Sequence, residues 1–184
     1  MSLQRIREWV ERCRACDLWR QATRAVPGEG PEDSPVMVVG EAPGREEDAQ
    51  GRPFVGRAGR LLRGILESYG LRRVYITNVV KHRPPGNRRP SRKEVDACSG
   101  FLLEEIEVIR PRIIIALGAT ASKFFTGKER VGELSGRVHE YRGSRLIVTY
   151  HPAAVLRNPR LRKDLEASIA MASRLLATEQ EGGS

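Results

Sequence analysis

The sequence has no long hydrophobic run, few cysteines and a shortage of acidic charge, and each shortage narrows the class of protein. No uninterrupted apolar stretch reaches the roughly 20 residues that a membrane-spanning helix needs. Charged residues interrupt the amino terminus before an apolar segment like that of a secretory signal can form, so we expect the protein to reside inside the cell. Only three cysteines are present, and inside a cell a disulfide between Cys13 and Cys16 is not expected.

The composition is that of a globular protein with a sizeable core. Hydrophobic residues make up 40% of the 184 residues and charged residues 30%, and this length fits one ordinary domain. We expect a single domain over residues 1–178, followed by a disordered tail at 179–184. No internal repeat or low-complexity block interrupts it.

The excess of positive charge predicts an anionic partner. Lysine and arginine number 32 against 23 acidic residues, which gives a net charge of +9. Most of these cations are arginine, whose planar fork suits phosphate, so nucleic acid is the leading candidate. The alternative is a solvated basic surface on a thermophile-like protein.

Apolar runs alternate with helical patterns along the chain. Continuous apolar runs at 35–39, 74–77, 112–118 and 145–150 are typical of buried strands. Helical spacing marks residues 1–13, 57–69, 91–109 and 119–125, and Asn158 with Pro159 predicts the start of a last helix. This alternation predicts an α/β fold, a three-layer αβα sandwich with a four-stranded, mainly parallel central sheet.

Polar side chains stand where these strands end. Glu41, Asn78 and His151 each follow an apolar run, and ligands of parallel sheets bind beyond the carboxyl ends of strands. The loop at 40–56 interleaves glycines, carboxylates and Phe54, a composition that can grip a flat ligand. The sequence therefore predicts one pocket. A nucleotide phosphate loop is a weaker alternative, because the segment lacks the Lys-Ser/Thr of a P-loop and the glycine spacing of a dinucleotide fingerprint.

Several motifs in a fixed order carry a family resemblance. They are Gly40–Gly44, Glu47 with Asp48, Gly51–Gly59, Ile76–Lys81, Arg83–Pro85 and His151–Ala154. Together they resemble the family 4 uracil-DNA glycosylases, and the resemblance covers the chain from Cys13 to about Pro159. It implies the fold of that family and excision of uracil from DNA.

The resemblance implies roles for four pocket residues that bind the base. Phe54 stacks on uracil and Ala42 lies against the substrate, while the carboxamide of Asn78 pairs with the pyrimidine edge and disfavours cytosine. Glu47 is similar to a residue that crowds the C5 side of the base, where thymine carries its methyl group. On the residues alone, Phe54 could instead fill a core and Asn78 could cap a turn.

The resemblance also implies two catalytic groups. His151 donates to O2 of the departing uracil, and Glu41 positions or activates water and stabilises the cationic sugar. Taken alone, a His-Pro pair after a strand is more often an ordinary loop residue.

Two segments are expected to contact DNA. The segment from His151 to Asn158 looks like the family loop that enters the duplex, with Val155, Leu156 or Arg157 filling the space left by the extruded base. The arginine-rich loop at 81–93, with Arg83, Arg88 and Arg89, is predicted to contact phosphates. A solvated connector and an ordinary packing role for Leu156 are the alternatives.

The cysteines depart from the family pattern, which has four cluster ligands. Cys13, Cys16 and Cys98 supply three, and His82 stands where the fourth cysteine is expected. Imidazole can ligate iron, so the resemblance implies a [4Fe-4S] cluster with Cys3His ligation. Zinc in the same shell and a partial or absent cluster are the alternatives.

The sequence thus predicts a monofunctional uracil-DNA glycosylase that starts base excision repair. No lysine is placed as a Schiff-base nucleophile, and no histidine between Arg83 and Ser91 could trap DNA covalently. The alternative class is a module that binds uracil or abasic sites without turnover. A monomer in the cytoplasm of a prokaryotic cell is expected, with uracil-containing DNA as substrate and a replication sliding clamp as a candidate partner.

Overall fold

A five-stranded sheet forms the centre of the protein in the computed structural model, which describes residues 1–183. The spatial order is β2-β1-β3-β5-β4, and only β4 runs antiparallel to its neighbour. The strands are β1 (Val36–Gly40), β2 (Val74–Asn78), β3 (Ile113–Leu117), β4 (Val138–Tyr141) and β5 (Ser144–Thr149).

The parallel strands are buried because helices cover both faces of the sheet. Every residue of β1, β2 and β3 is buried, which explains their continuous apolar sequences. Val36 of β1 pairs with Val74 of β2 on one side and Ile113 of β3 on the other. The carboxyl ends of β1, β2, β3 and β5 therefore meet at one edge.

The expectation of four strands was wrong, since β4 adds a fifth at the edge. The residues of β4 are exposed or half-buried, so no continuous apolar run marks the strand. Arg142 and Gly143, both with positive φ (47° and 89°), connect β4 to β5 in a tight hairpin. His139 lies in this hairpin, and its Nε2 lies 2.8 Å from the carbonyl oxygen of Leu134.

Nine α-helices lie along the described chain. Leu102, Ile106 and Ala121 belong to the core on one face of the sheet, and Leu62, Val155 and Leu165 to the core on the other. This arrangement confirms the αβα layering. The helices are α1 (Leu3–Glu11), α2 (Leu18–Gln21), α3 (Arg45–Gln50), α4 (Arg57–Ser68), α5 (Arg92–Ile109), α6 (Gly118–Thr126), α7 (Val131–Leu134), α8 (Pro152–Arg157) and α9 (Arg162–Glu181).

Local signals set the helix boundaries where they are strong. Ser91 Oγ accepts from the backbone N–H of Glu94, and the Glu94 carboxylate accepts from the N–H of Ser91, so a capping box starts α5. Asn158 caps a 3-10 turn at Pro159–Leu161, which runs directly into α9.

The last helix continues into the segment predicted as a disordered tail. It ends at Glu181, so residues 179–181 of that segment are helical. Ser184 lies outside the described residues. Within residues 1–183 no helix combines the length and the apolarity that crossing a bilayer requires.

Candidate active site

A cleft of about 730 Å³ opens at the carboxyl ends of the parallel strands. Glu41 follows β1, Asn78 ends β2 and His151 follows β5, and all three line this cleft. Ala42, Glu47 and Phe54 line it as well. The structure therefore brings the six predicted catalytic and base-binding residues to one place.

Phe54 presents its ring inside the cleft from a left-handed backbone. Its φ is 52°, which is unusual for a residue with a side chain, and 5% of the residue is exposed. The ring stacks on the imidazole of His151, with 5.6 Å between ring centroids and 29° between planes. The two rings are therefore in direct contact within the lining of the cleft.

Arg63 of α4 holds the Phe54 backbone in this conformation. It donates to the carbonyl oxygens of Phe54 at 2.8 Å and Pro53 at 2.7 Å, and also to Glu29 at 2.8 Å. Burial by itself would raise the pKa of Glu29, but hydrogen bonds from Arg52 and Arg63 outweigh it and lower that pKa. The backbone of Glu29 bridges to Ile76 of β2. The hydrogen bonds of Arg63 therefore connect the Phe54 loop to the sheet.

Asn78 holds a buried carboxamide oxygen with no partner among the described residues. A Cβ added to Gly40 would stand 2.5 Å from that Oδ1 and 2.5 Å from Cζ of Phe54. Glycine at 40 therefore allows the amide and the ring to meet above the end of β1. The backbone carbonyl of Asn78 is fixed from behind, since it accepts from the buried Lys81 Nζ at 2.7 Å.

His151 is held as a neutral imidazole that can donate from Nε2. It is the N-cap of α8, and its Nδ1 accepts from the N–H of Ala153 at 3.0 Å. The proton of the neutral ring therefore lies on Nε2. The pKa of His151 is lowered to about 4, first by burial and then by the nearby Arg157, while Glu47 opposes both effects. Near neutral pH the ring is an uncharged hydrogen-bond donor.

Glu41 is oriented by a residue that the sequence did not reveal. Its Oε2 accepts from Thr120 Oγ1 at 2.5 Å, and Thr120 Oγ1 in turn accepts from Arg89 Nε at 3.1 Å. Thr120 lies in α6 and is 4% exposed. Its distance from Glu41 in sequence, 79 residues, left no local signal for this contact.

Glu47 organises the loops around the cleft. Its Oε2 accepts from the N–H groups of Val55 at 2.9 Å and Gly56 at 2.7 Å, and its Oε1 accepts from the N–H of Gly44 at 3.0 Å. One carboxylate thus joins the start of α3 to the backbone that follows Phe54. The sequence predicted that the loop at 40–56 would bind a ligand, but it did not predict the hydrogen bonds by which Glu47 joins its two parts.

The predicted DNA-contacting arginines engage acceptors within the protein. Arg83 donates to Asn87 Oδ1 at 2.6 Å. Arg88 forms two hydrogen bonds to Glu94, at 2.7 and 2.9 Å, and the pair lowers the pKa of Glu94 to about 2. Arg89 reaches Thr120 and, at 3.2 Å, Glu129. Arg88 also lines the cleft, so the loop at 81–93 forms part of its rim.

The segment predicted to enter the duplex is the short helix α8. Val155 is 3% exposed and belongs to the apolar core beneath α8. Leu156 is half-buried, and Arg157 is exposed and lines the cleft. Of the three predicted residues, only Leu156 and Arg157 are therefore accessible from outside the protein.

The predicted cluster ligands lie in one region, although no three His, Cys, Asp or Glu side chains of residues 1–183 converge as a metal site. Cys98 is buried, its Sγ accepts from the N–H of Lys81 at 3.2 Å, and burial raises its pKa to about 12. The charges of Cys13 and Cys16 also act on that thiol. Burial lowers the pKa of His82, and Asp48 opposes this, so an imidazole lone pair is available at neutral pH.

The cleft combines four chemical functions. It has an aromatic face in Phe54, a carboxamide in Asn78, a neutral imidazole donor in His151 and a carboxylate in Glu41. Such a set can bind a planar heterocycle, stabilise negative charge on it as a bond breaks, and direct water to the other fragment.

Comparisons with known proteins agree with this chemistry. The family model described as "Uracil DNA glycosylase superfamily" matches residues 27–172. A type-4 uracil-DNA glycosylase of Pyrobaculum aerophilum is 47% identical over 182 residues, which cover 93% of each chain. One from Thermotoga maritima is 48% identical, covering 83% of this chain and 82% of the relative. A type-5 uracil-DNA glycosylase of Pyrobaculum aerophilum is 34% identical, covering 80% and 74%.

Proposed function

The chain belongs to the type-4 uracil-DNA glycosylases of the uracil DNA glycosylase superfamily, and we propose that it hydrolyses the N-glycosidic bond of uracil in DNA as a monofunctional enzyme. The reaction releases free uracil and leaves an abasic site, which starts base excision repair. DNA as substrate agrees with the net charge of +9, and it implies residence inside the cell.

The unpartnered carboxamide of Asn78 is the observation that carries this proposal. A buried polar atom without a partner is costly, and a ligand that supplies the complementary group removes the cost. Uracil offers N3–H as a donor and O4 as an acceptor on one edge, which match the two ends of a carboxamide. The adjacent ring of Phe54 supplies the stacking face for the same base.

Recognition requires the base to leave the helix. Uracil rotated out of the stack enters the cleft, with its Watson–Crick edge toward Asn78 and one face on Phe54. Leu156 and Arg157 on α8 fill the gap in the duplex and contact its backbone. Arg83, Arg88 and Arg89 on the rim contact phosphates.

Bond cleavage separates two opposite charges. Electron density moves onto uracil O2, where Nε2–H of His151 donates a hydrogen bond to the forming anion. The sugar becomes an oxocarbenium ion, which the carboxylate of Glu41 stabilises while it directs water to the anomeric carbon. Glu47 and Ala42 limit the space around the base.

The cleft gives no support to a second, strand-breaking activity. Strand cleavage by a glycosylase needs an amine that forms an imine with the sugar, and among residues 1–183 no lysine lines the cleft. Lys81 is close to Asn78 in sequence, but its amine is buried in the core, where it donates to Thr77, Asn78 and Glu105.

Excision assays test the function. Single- and double-stranded oligonucleotides with one uracil should break only after alkali, and free uracil should exceed the amount of enzyme. Thymine and cytosine substrates should stay intact. His151→Ala should abolish release, whereas His139→Ala should not, because His139 lies on the β4–β5 hairpin and does not line the cleft. A protein–DNA species that survives denaturation, with no turnover, would support a trapping module instead.

The donor set of Cys13, Cys16, Cys98 and His82 fits a [4Fe-4S] cluster in chemistry. Three thiols share one region, and the buried imidazole follows Lys81, whose N–H contacts Cys98. A backbone donor to sulfur is typical of cluster ligands. The cluster would tie the segment after α1 to α5, a structural role that supplies no redox step.

Metal analysis separates the alternatives for these four residues. Anaerobically purified protein should contain about four iron atoms per chain with visible sulfur-to-iron absorption. His82→Cys should retain that absorption, and His82→Ala should lose it, with His139→Ala as the control. Stoichiometric zinc without iron would overturn the assignment. Gel filtration with and without a sliding clamp tests the predicted monomeric state and that partner.

A further inference from the structure

Thr120 lies between the carboxylate of Glu41 and the guanidinium of Arg89. Its hydroxyl is 2.5 Å from Glu41 Oε2 and 3.1 Å from Arg89 Nε. The residue is 4% exposed, on the first turn of α6. These contacts join three separate parts of the chain at the back of the cleft.

The chemistry of the neighbours fixes the direction of both hydrogen bonds. Arginine can only donate, so Thr120 Oγ1 accepts from it and turns its single proton toward Glu41. An ionised carboxylate can only accept. A hydrogen bond to a charged partner is stronger than a neutral one, and here it has a single orientation.

This arrangement leaves one oxygen of Glu41 for the reaction. Among the side-chain hydrogen bonds of the described residues, Glu41 takes part only through Oε2. With Oε2 held by Thr120, rotation of the carboxylate is restricted and Oε1 keeps its lone pairs for water. Orientation of this kind can account for a large share of a rate enhancement.

Arg89 is itself fixed on a second acidic residue. Its NH2 group donates to Glu129 at 3.2 Å, and Lys123 Nζ donates to the same oxygen at 2.9 Å. These hydrogen bonds lower the pKa of Glu129 and keep it charged. The loop at 81–93, which carries Arg89, is thus connected to the position of Glu41.

We propose that Thr120 is a positioning residue for Glu41, and that Arg89 orients the Thr120 hydroxyl and so couples the DNA-contacting loop to the water-directing carboxylate. The inference rests on the proposed uracil excision by the same cleft. Thr120 touches neither base nor sugar in this scheme and acts only through Glu41.

A double-mutant cycle under single-turnover conditions tests the inference. Thr120→Val removes the hydroxyl at nearly constant volume and should slow excision at saturating DNA by about 10- to 100-fold, with DNA affinity unchanged within about twofold. Thr120→Ser keeps the hydroxyl and should stay within about threefold of the parent. In a Glu41→Ala background, Thr120→Val should have no further effect.

Controls separate positioning from a general structural role. Thr126→Val removes a hydroxyl from the other end of α6, where it bonds Ser122 and Lys128, and should leave excision unchanged. Arg89→Met should slow the chemical step at saturating DNA and be non-additive with Thr120→Val. If Thr120→Val does not fold, the comparison of Thr120→Ala with Thr120→Ser replaces it.

The outcomes are distinguishable. The inference would be wrong if Thr120→Val slowed excision in the Glu41→Ala background by the same factor as in the parent protein. It would also be wrong if Thr120→Val alone excised uracil at the rate of the parent. Neither result would contradict uracil excision itself. A parent protein that releases no uracil would instead overturn the proposed function and the inference with it.

Discussion

The imidazole of His151 stacks on the phenyl ring of Phe54 inside the glycosylase cleft, with 5.6 Å between centroids. The contact fixes the imidazole against the ring that is proposed to stack on the base. It also surrounds the imidazole with apolar surface, which disfavours a charged ring. One contact therefore serves both recognition and the electrostatics of bond cleavage.

The protonation of His151 gives the first prediction. The pKa of its ring is lowered from 6.5 to about 4, mainly by burial. The unfolded chain therefore binds more protons between these two values, so this histidine reduces stability as the pH falls through that window and has no further effect below it. Histidine NMR titration should show His151 still neutral at pH values where a free histidine is half protonated.

The assignment of that resonance needs a variant. His151→Asn should remove one titrating ring signal, and His139→Asn should remove another. A signal assigned to His151 that titrates at 6.5 would contradict the neutral-donor mechanism. Excision rates should show no loss from His151 deprotonation as the pH rises from 6 to 8.

The carboxamide of Asn78 gives the second prediction. Asn78→Ala removes both hydrogen bonds proposed to uracil N3 and O4 but no proposed phosphate contact. We expect the single-turnover rate to fall by about 10- to 100-fold, while the affinity for a duplex with an abasic site stays unchanged. Equal losses in affinity and rate would assign Asn78 to DNA binding rather than base recognition.

Most of the fold could be predicted because parallel strands that are buried on both faces have continuous apolar sequences. The strands at Val36–Gly40 and Ile113–Leu117 are buried at every position, and the runs around them predicted both. The strand at Val138–Tyr141 has no continuous apolar run, because one side chain in two is exposed and the rest are half-buried. The helix that begins after Ser91 was predicted because its apolar residues recur at helical spacing.

The site was predictable where the residues follow strands and hidden where contacts cross the chain. Glu41, Asn78 and His151 stand directly at strand ends, so the sheet itself brings them together. Thr120 and Arg63 act through hydrogen bonds to residues far away or to backbone carbonyls, which no local pattern encodes. Val155 fits an apolar wedge by sequence alone, and only the packing of α8 reveals its burial.

The buried pair of Lys81 and Glu105 gives the third prediction. The side chains are 0% and 1% exposed and bonded to each other, and Lys81 also donates to Asn78 O and Thr77 Oγ1. Lys81→Met leaves the carboxylate uncompensated in the core and should cost about 3–5 kcal/mol in the free energy of unfolding. Denaturant titration measures this, and residual folded protein should excise uracil slowly because the Asn78 backbone loses its anchor.

A surface ion pair is the matched control for this prediction. Arg162 and Glu166 pair at 3.3 Å on the exposed side of α9, and Arg162→Met should change stability by no more than about 0.5 kcal/mol. Lys81→Met combined with Glu105→Leu should recover part of the loss, since no buried charge remains. A single Lys81→Met variant as stable as the parent would show that water reaches Glu105.

Two glycines on α4 give the fourth prediction because they differ only in their surroundings. A Cβ on Gly59 would stand 2.1 Å from the backbone carbon of Phe54, whereas one on Gly64 would meet nothing within 4 Å. Gly59→Ala should therefore cost about 1–3 kcal/mol and displace the stacking ring, with a loss of excision. Gly64→Ala should stabilise by about 0.5–1 kcal/mol and leave excision unchanged, because alanine favours the helix. Thermal unfolding and single-turnover assays measure both, and similar behaviour of the two variants would contradict the close packing of α4 against Phe54.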